Sequence, residues 1–392
     1  MKKLFIFSIL TYLLFTINSS AANLSDEGRE NLKNTKILKI GVLLPMSGKF
    51  QDIGLSFLKA IQLAITHISN ENIIIYPKDS KANSEDAYKA AKEFQELGIK
   101  IVIGPIFFES LEKLNEINNI TFISLTNKTK KIPKNTIAFG ININSQINTL
   151  KEYFNKLDIS KTVLLSPKKK YLDQTEIFED SELKFYRAFF YDTNPKKITS
   201  EIEKLTKYKE RKKDLERRIK ILEKSDLYKD KQELKKLEQK HTLGKISFDS
   251  VLIVDFEESL KSVLTSFMFS DVSNEEVSFF TLNQWFDKTL FNELALQNLH
   301  FPSIDLKNLK KFEKKYFESY NEEPNAVSIL AYDAVGLIYY CWISNNNKFE
   351  SSQLYKKDGF KGLHGDFFIR DNATMQKLKI YKIKKNEFIK VY

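Results

Sequence analysis

The stretch from Ile37 to Ile68 constrains the fold most. Ile37-Leu38-Lys39-Ile40-Gly41-Val42-Leu43-Leu44 is short and apolar on both faces, and it breaks at Pro45-Met46-Ser47-Gly48 before a helical pattern begins. Such a run is what a strand covered on both sides of a parallel sheet requires. Gly48 and Gly54 allow close backbone approach, and Ile53, Phe57, Ile61, Ala64, Ile65 and Ile68 then recur at helical spacing. Strand, tight turn and helix in this order place the turn at the carboxyl end of a strand, where open α/β sheets hold their ligands.

The alternation continues. Strands are expected at 72–76, 99–103 and 120–125, and helices at 85–97 and 110–118. Four β units in about 90 residues make a doubly wound parallel sheet the economical arrangement. After Phe139-Gly140-Ile141-Asn142 the pattern restarts with helices at 145–156 and 174–182 and strands at 162–166, 185–191 and 250–255. This second series predicts a second α/β lobe. A strand at 277–282 and helices at 306–320 and 326–342 are expected to return to the first lobe, with terminal strands from 367 to 392. The predicted division is lobe 1 from 37–144 plus 277–345, and lobe 2 from 145–276 plus 346–392.

Ahead of the first strand, Lys2 and Lys3 precede an apolar run from Leu4 to Ile17 and the small residues Asn18-Ser19-Ser20-Ala21-Ala22. This pattern reads as a secretory signal peptide over residues 1–22. This largely apolar run of 14 residues falls short of the roughly 20 that span a bilayer. No Cys follows to carry a lipid, and no later segment is expected to cross a membrane. The expected location is therefore the periplasm. The lone Cys341 permits no internal disulfide, and its apolar helical setting suits a buried, inert thiol. The net charge of +11 favours acidic surroundings such as a membrane face or an anionic wall polymer. Lys, Ile, Asn and Phe are all abundant, as an AT-rich coding bias makes them, so the charge carries little weight, and export argues against nucleic acid.

A further segment stands apart. Between Glu201 and Lys240 there are 15 basic and 10 acidic residues and no Gly or Pro. Leu205, Tyr208, Leu215, Ile219 and Leu222 form a narrow apolar seam, which Leu234 and Leu237 continue after a turn at Ser225-Asp226. The spacing predicts a helical hairpin inserted in lobe 2 over residues 198–243. Two readings are open: a solvated hairpin packed on its own lobe, or a protruding arm that docks a protein partner or anionic polymer.

Several motifs in order carry a resemblance. Ile40-Gly41-Val42-Leu43-Leu44-Pro45-Met46-Ser47-Gly48, the strand end Ile103-Gly104-Pro105, the helix Ala331-Tyr332-Asp333-Ala334-Val335 and Gly359-Phe360-Lys361-Gly362-Leu363-His364-Gly365-Asp366-Phe367 resemble the type I periplasmic solute-binding proteins, from about residue 37 to 392. Leucine-binding proteins and the penicillin-binding protein activators share that fold. Phe122-Ile123-Ser124-Leu125-Thr126-Asn127 with Ala138-Phe139-Gly140, Phe248 to Asp255, and Leu282-Asn283-Gln284-Trp285 resemble the activator branch. The resemblance implies two doubly wound lobes joined by a three-strand hinge, with a ligand held between them. Cleft candidates are Ser47, Phe107, Ser110, Ser124, Thr126 and Asn127 on the first lobe, and Tyr171, Tyr191, Asp255 and Asn283 on the second. Hydroxyls near helix starts suit a carboxylate, and Asp255 suits an ammonium; Ser47, Ser110 and Asp255 also suit helix capping, and Tyr191 suits the core.

After Gly104-Pro105, where amino-acid binders tend to carry small or hydroxylated residues, this chain has Ile106-Phe107-Phe108-Glu109, which puts capture of a free amino acid in doubt. Catalysis has no motif: there is no Gly-x-Ser-x-Gly elbow, no His-Glu-x-x-His and no glycine-rich phosphate loop. His67, His241, His300 and His364 are scattered, one Cys supplies no thiolate cluster, and Asp333 reads as a hydrogen-bonding anchor. Neither an enzyme, a metal nor a cofactor is expected. The resemblance implies a regulator that contacts a cell-wall synthase. The alternative is a receptor that captures an amino acid of the branched-chain type, or a similar small solute, for an ABC permease.

Overall fold

The computed structural model describes residues 36–168, 183–282, 293–385 and 387–392. In chain order the first sheet and its helices begin with β1 (Leu38–Leu44), α1 (Gln51–Ile68), β2 (Ile73–Asp79), α2 (Ser84–Glu96), β3 (Ile101–Ile103), β4 (Thr121–Ser124) and β5 (Thr136–Ala138). Then follow α3 (Ile143–Lys156), β6 (Thr162–Pro167), β7 (Arg187–Tyr191), α4 (Pro195–Leu205), α5 (Tyr208–Leu222), α6 (Tyr228–Leu237), β8 (Ser250–Ile253), α7 (Glu257–Phe269), β9 (Ser278–Thr281) and β10 (His300–Ser303). The chain ends with α8 (Leu306–Tyr320), α9 (Ile329–Ile343), β11 (Phe360–Lys361), β12 (Asp366–Arg370), β13 (Ala373–Gln376), β14 (Lys379–Lys384) and β15 (Glu387–Lys390).

These strands form two sheets, ordered β11-β12-β13-β5-β4-β3-β1-β2 and β15-β14-β10-β9-β8-β6-β7. Pairing from β1 to β5 and from β6 to β10 is parallel, and the antiparallel pairs lie at one end of each sheet. The two-lobe α/β architecture is therefore as expected. The apolar run of β1 is explained by its two faces. Ile40, Val42 and Leu44 enter a core with α1 and α9, while Leu43 enters a second core with Ala87, Ala91 and Phe94 of α2. Pro77, inside β2, is tolerated because β2 is the sheet edge. The second sheet repeats the plan, with Val163, Val251 and Phe279 on one face and Leu164, Leu252 and Phe280 on the other.

Chain assignment differs from expectation at three places. The strand at 277–282 and β10, both placed in the first lobe from sequence, belong to the second sheet, because β9 pairs with β8 through Ser250–Ser278 to Ile253–Thr281 and β10 pairs with β9 and β14. Residues 346–376, placed in the second lobe from sequence, instead extend the first: β13 pairs with β5, and Phe367 and Ile369 fill the first core. The helix at 110–118 is replaced by two 3-10 turns, Phe108–Leu111 and Leu114–Glu116. Helices α8 and α9 do pack on the first sheet as expected, through Leu309, Phe312, Tyr316 and Ile338. The helix at 174–182 lies outside the described residues. Ala326–Ile343 is long and apolar enough to cross a membrane, contrary to expectation, but here it is the central core helix of the first lobe. Cys341 is buried in it, and burial pushes its thiol up to about 11.

The chain passes between the sheets three times, after β5, after β10 and after β13. Buried polar side chains stitch these crossings together. Asn142 caps α3 by accepting from Ser145 N at 2.9 Å and donates to Thr374 O at 2.5 Å. Ser145 Oγ donates to Gln376 Oε1 at 2.7 Å, and Gln376 Nε2 donates to Gly140 O at 3.1 Å. Beside them, Asp333 accepts from the backbone of Leu363 and His364 at 2.9 and 2.7 Å and holds His364 Nδ1 at 2.5 Å. The backbone of Asp305, on the second crossing, donates to His364 O at 3.4 Å, and Leu306 N donates to the Tyr381 hydroxyl at 3.0 Å.

His300, on β10, packs its ring 5.0 Å from Phe280 and places Nδ1 3.2 Å from Phe279 O. Burial, with Lys382 nearby, lowers its pKa from 6.5 to about 4. The unfolded chain therefore takes up this proton first as pH falls, so stability is full above pH 6.5 and is lost between 6.5 and about 4. The expected loss attributable to this site is about 3 kcal/mol. Urea denaturation at pH 7 and pH 4.5 should show it, and His300→Asn should flatten the difference.

Candidate interlobe site and the inserted hairpin

The first-lobe candidates sit where β1, β3 and β4 end. Gly54 lets α1 begin against the β1 end, since a Cβ there would lie 1.9 Å from Pro45 O. Gly104, at φ +107°, brings the β3 end equally close to Leu43 O. Ser47 precedes the 3-10 turn Gly48–Phe50 and donates its hydroxyl to Asp79 Oδ2 at 2.5 Å. Asp79 also accepts from Met46 N and Lys81 N, each at 2.8 Å. Burial acts to raise the Asp79 pKa, but these hydrogen bonds outweigh it and hold the carboxyl below its ordinary value.

Ser124 is buried and donates to Pro105 O at 2.8 Å, tying the ends of β3 and β4 together. Thr126 is buried, and its hydroxyl accepts from Lys128 N at 3.2 Å. Asn127 is exposed. Ser110 is fully buried beneath the first 3-10 turn, with its hydroxyl unpartnered among the described residues. Phe107 lies half-buried with its ring 4.5 Å from that of Phe50, so the segment after Gly104-Pro105 presents an aromatic pair.

On the second lobe, Tyr191 ends β7 and Asp255 follows β8. Both are buried, and the Tyr191 hydroxyl donates to Asp255 Oδ2. Ser259 also donates to Oδ2, and Phe256 N donates to Oδ1 at 2.8 Å. Burial, then the carboxylate, raises the Tyr191 pKa far above its ordinary value. Asp255 thus anchors the start of α7 with three donors from its own lobe. Tyr171 and Asn283 lie outside the described residues. The structure brings Tyr191 and Asp255 together, and joins Ser47 to Asp79, a partner sequence reasoning missed. Asp79-Ser80-Lys81 carries a turn signal that could have marked it; Ser259, four residues past Asp255 on α7, carried none.

The inserted segment is a helical hairpin as expected. Leu215, Leu222 and Leu237 form its own small core, flanked by Ile219 and Leu234. Arg218 and Glu233 bridge α5 and α6 bidentately, at 2.9 and 2.8 Å. Two residues differ from the expected seam: Leu205 belongs to the lobe core with Ile198 and Ile202 of α4, and Tyr208 is only half-buried. The base is fixed by Arg211, whose buried guanidinium donates to Thr242 Oγ1 at 2.5 Å, Asp271 O at 2.8 Å and Ser270 O at 3.3 Å. At the far end, Ile221, Leu227 and Tyr228 are 55%, 67% and 77% exposed.

Among the described residues no hydrogen bond or ion pair joins the first-lobe candidates to Tyr191 or Asp255. The two sheets and their three crossings nevertheless have the order of the type I periplasmic binding-protein fold, and comparison with solved structures shows the same fold. The C-domain of LpoA from Haemophilus influenzae, described as a regulator of PBP1A, matches with TM-score 0.60 at 12% identity over 90% of this chain and 100% of that one. This chain spans 59% of full-length LpoA. A putative branched-chain amino acid ABC transporter protein from Rhodospirillum rubrum matches with TM-score 0.67 at 12% identity, over 91% and 100%. The substrate-binding protein LivJ from Streptococcus pneumoniae, in complex with isoleucine, matches with TM-score 0.52 at 16% identity, over 91% and 100%. No protein-family model and no curated protein matches the sequence.

Asp255→Ala should strand the buried hydroxyl of Tyr191 and loosen the start of α7. The expected loss is about 2 kcal/mol of stability in urea denaturation, and Asp255→Asn should retain part of it.

Proposed function

We propose that this chain is an exported, non-catalytic regulator that acts by contact with a cell-wall synthase, and that the α5–α6 hairpin is its docking arm. Residues 1–22 serve as the signal peptide and direct the chain to the periplasm. The observation that carries this reading is that Ser47, Ser124, Tyr191 and Asp255, four of the described cleft candidates, hydrogen-bond within their own lobes. Asp255, the acid best placed to meet an ammonium group, already accepts from Tyr191, Ser259 and Phe256. Phe107 with Phe50 presents rings at the first-lobe strand ends. Recognition through a surface needs neither group freed.

The hairpin supports the same reading. Arg211 packs the hairpin's base on the lobe, as a hairpin of either kind requires, while the three exposed apolar side chains at its tip favour a docking arm. Similarity to the LpoA C-domain, described as a regulator of PBP1A, supports this partner class. The competing reading, a receptor handing an amino acid to an ABC permease, is supported by the likeness to LivJ.

The test measures binding of the exported protein to the periplasmic regions of the bifunctional cell-wall synthases of its own organism. Leu227→Ser with Tyr228→Ser should weaken binding about 10-fold or more, in line with loss of an aromatic and an aliphatic anchor. The melting temperature should stay unchanged, because both side chains are exposed. Undiminished binding by the double variant would remove the hairpin from the interface, and no binding by the parent chain would overturn the reading.

A further inference from the structure

The first lobe carries a cavity of about 760 Å³ between α9, the segment after it and strands β11 and β12. None of the cleft candidates lines it. Its size lies within the range of about 300 to 1,000 Å³ typical of small-molecule sites. Leu337, Tyr340, Phe360 and Phe368 give it an apolar and aromatic wall. The Tyr340 and Phe360 rings, both in the lining, stand 5.9 Å apart at 82°.

Five cations line the same cavity: Lys356, Lys357, Lys361, Arg370 and Lys377. The acids that accompany them are Asp333, Asp358 and Asp366. Asp333 is buried and held by the backbone of Leu363 and by His364. Lys356 donates to the Tyr340 hydroxyl at 2.7 Å and lies over its ring, and the Arg370 guanidinium lies 4.9 Å from the Phe368 ring centre. Among the described residues no ion pair engages Lys357, Lys361, Arg370 or Lys377. Elsewhere on the surface lysines do find carboxylates, as Lys59 does with Glu322 and Lys197 with Asp192. A concave, aromatic-walled site lined by five cations against three acids carries an excess of positive charge.

We propose that this cavity binds a small anionic ligand that joins a ring to two or more phosphate or carboxylate groups. The ring packs on Tyr340 and Phe360. The anionic groups meet Lys361, Lys377 and the guanidinium of Arg370, whose planar fork suits either oxyanion. The site is separate from the cleft and from the hairpin, so it stands or falls independently of the function proposed above.

Calorimetric titration of the full chain tests this with three probes. Uridine diphosphate carries a ring and phosphates, benzene-1,3,5-tricarboxylate carries a ring and carboxylates, and uridine carries a ring alone. At least one of the two anions should bind with Kd of about 100 µM or tighter at low salt, weakening as salt is raised. Which one binds assigns phosphate or carboxylate, and uridine should bind at least about 10-fold more weakly. Arg370→Gln with Lys361→Gln should cost about 10-fold or more at an unchanged melting temperature. Lys49→Gln with Lys128→Gln, cations stacked on Phe50 and Phe108, should leave binding unchanged. Failure of both anions to bind at millimolar concentration would overturn the proposal, as would equal losses in the two double variants.

Discussion

The molecule depends on the buried polar joint where the chain crosses three times between its sheets. Each crossing must bring extended backbone through the interior, where an unpaired N–H or C=O costs about 1 to 3 kcal/mol. Gln376 and Thr374 on one crossing meet Asn142 and Ser145 on another, so side-chain amides and hydroxyls supply partners that no sheet neighbour offers. Asp333 does the same for the tight segment Gly362–Gly365, and through His364 it reaches the third crossing. Without these bonds the crossings would leave buried polar backbone unpaired.

Within each lobe, several polar groups at the strand ends are held by local partners. Three of the described candidates at the strand ends are already hydrogen-bonded within their own lobe: Ser47 to Asp79, Ser124 to Pro105, and Asp255 to Tyr191 and Ser259. A solute would have to replace these bonds, recovering only what it displaces. The chain's distinctive chemistry lies at the surface instead, in a hairpin fixed at its base and apolar at its tip, and in a cation-rich cavity on the first lobe.

Much of the fold was legible because its signals are local. β1, α1 and α2 announce themselves by apolar period and by turn residues, and the hairpin by a charged stretch with a leucine seam. What was not legible was which sheet a strand joins. β9 and β12 are short and apolar in ways that suit either lobe, and their placement is decided by partners distant in sequence, Ser250–Ile253 for one and Ala373–Gln376 for the other. The candidate site shows the same divide. Asp255 as a cap was readable from its position before α7, but its pairing with Tyr191, 64 residues away, was not. Gln376, central to the joint, has no local signature at all.

The central claim is that the interlobe cleft does not capture a free amino acid. The most direct measurement is the melting temperature of the protein from residue 23 onward with each free amino acid at millimolar concentration. A ligand present at about 1,000 times its Kd adds about 4 kcal/mol of native stability, enough to raise the melting point by several degrees. The account predicts no shift beyond the scatter of repeat runs for any amino acid. A rise of several degrees with one side-chain class would contradict it and make the molecule a transport receptor.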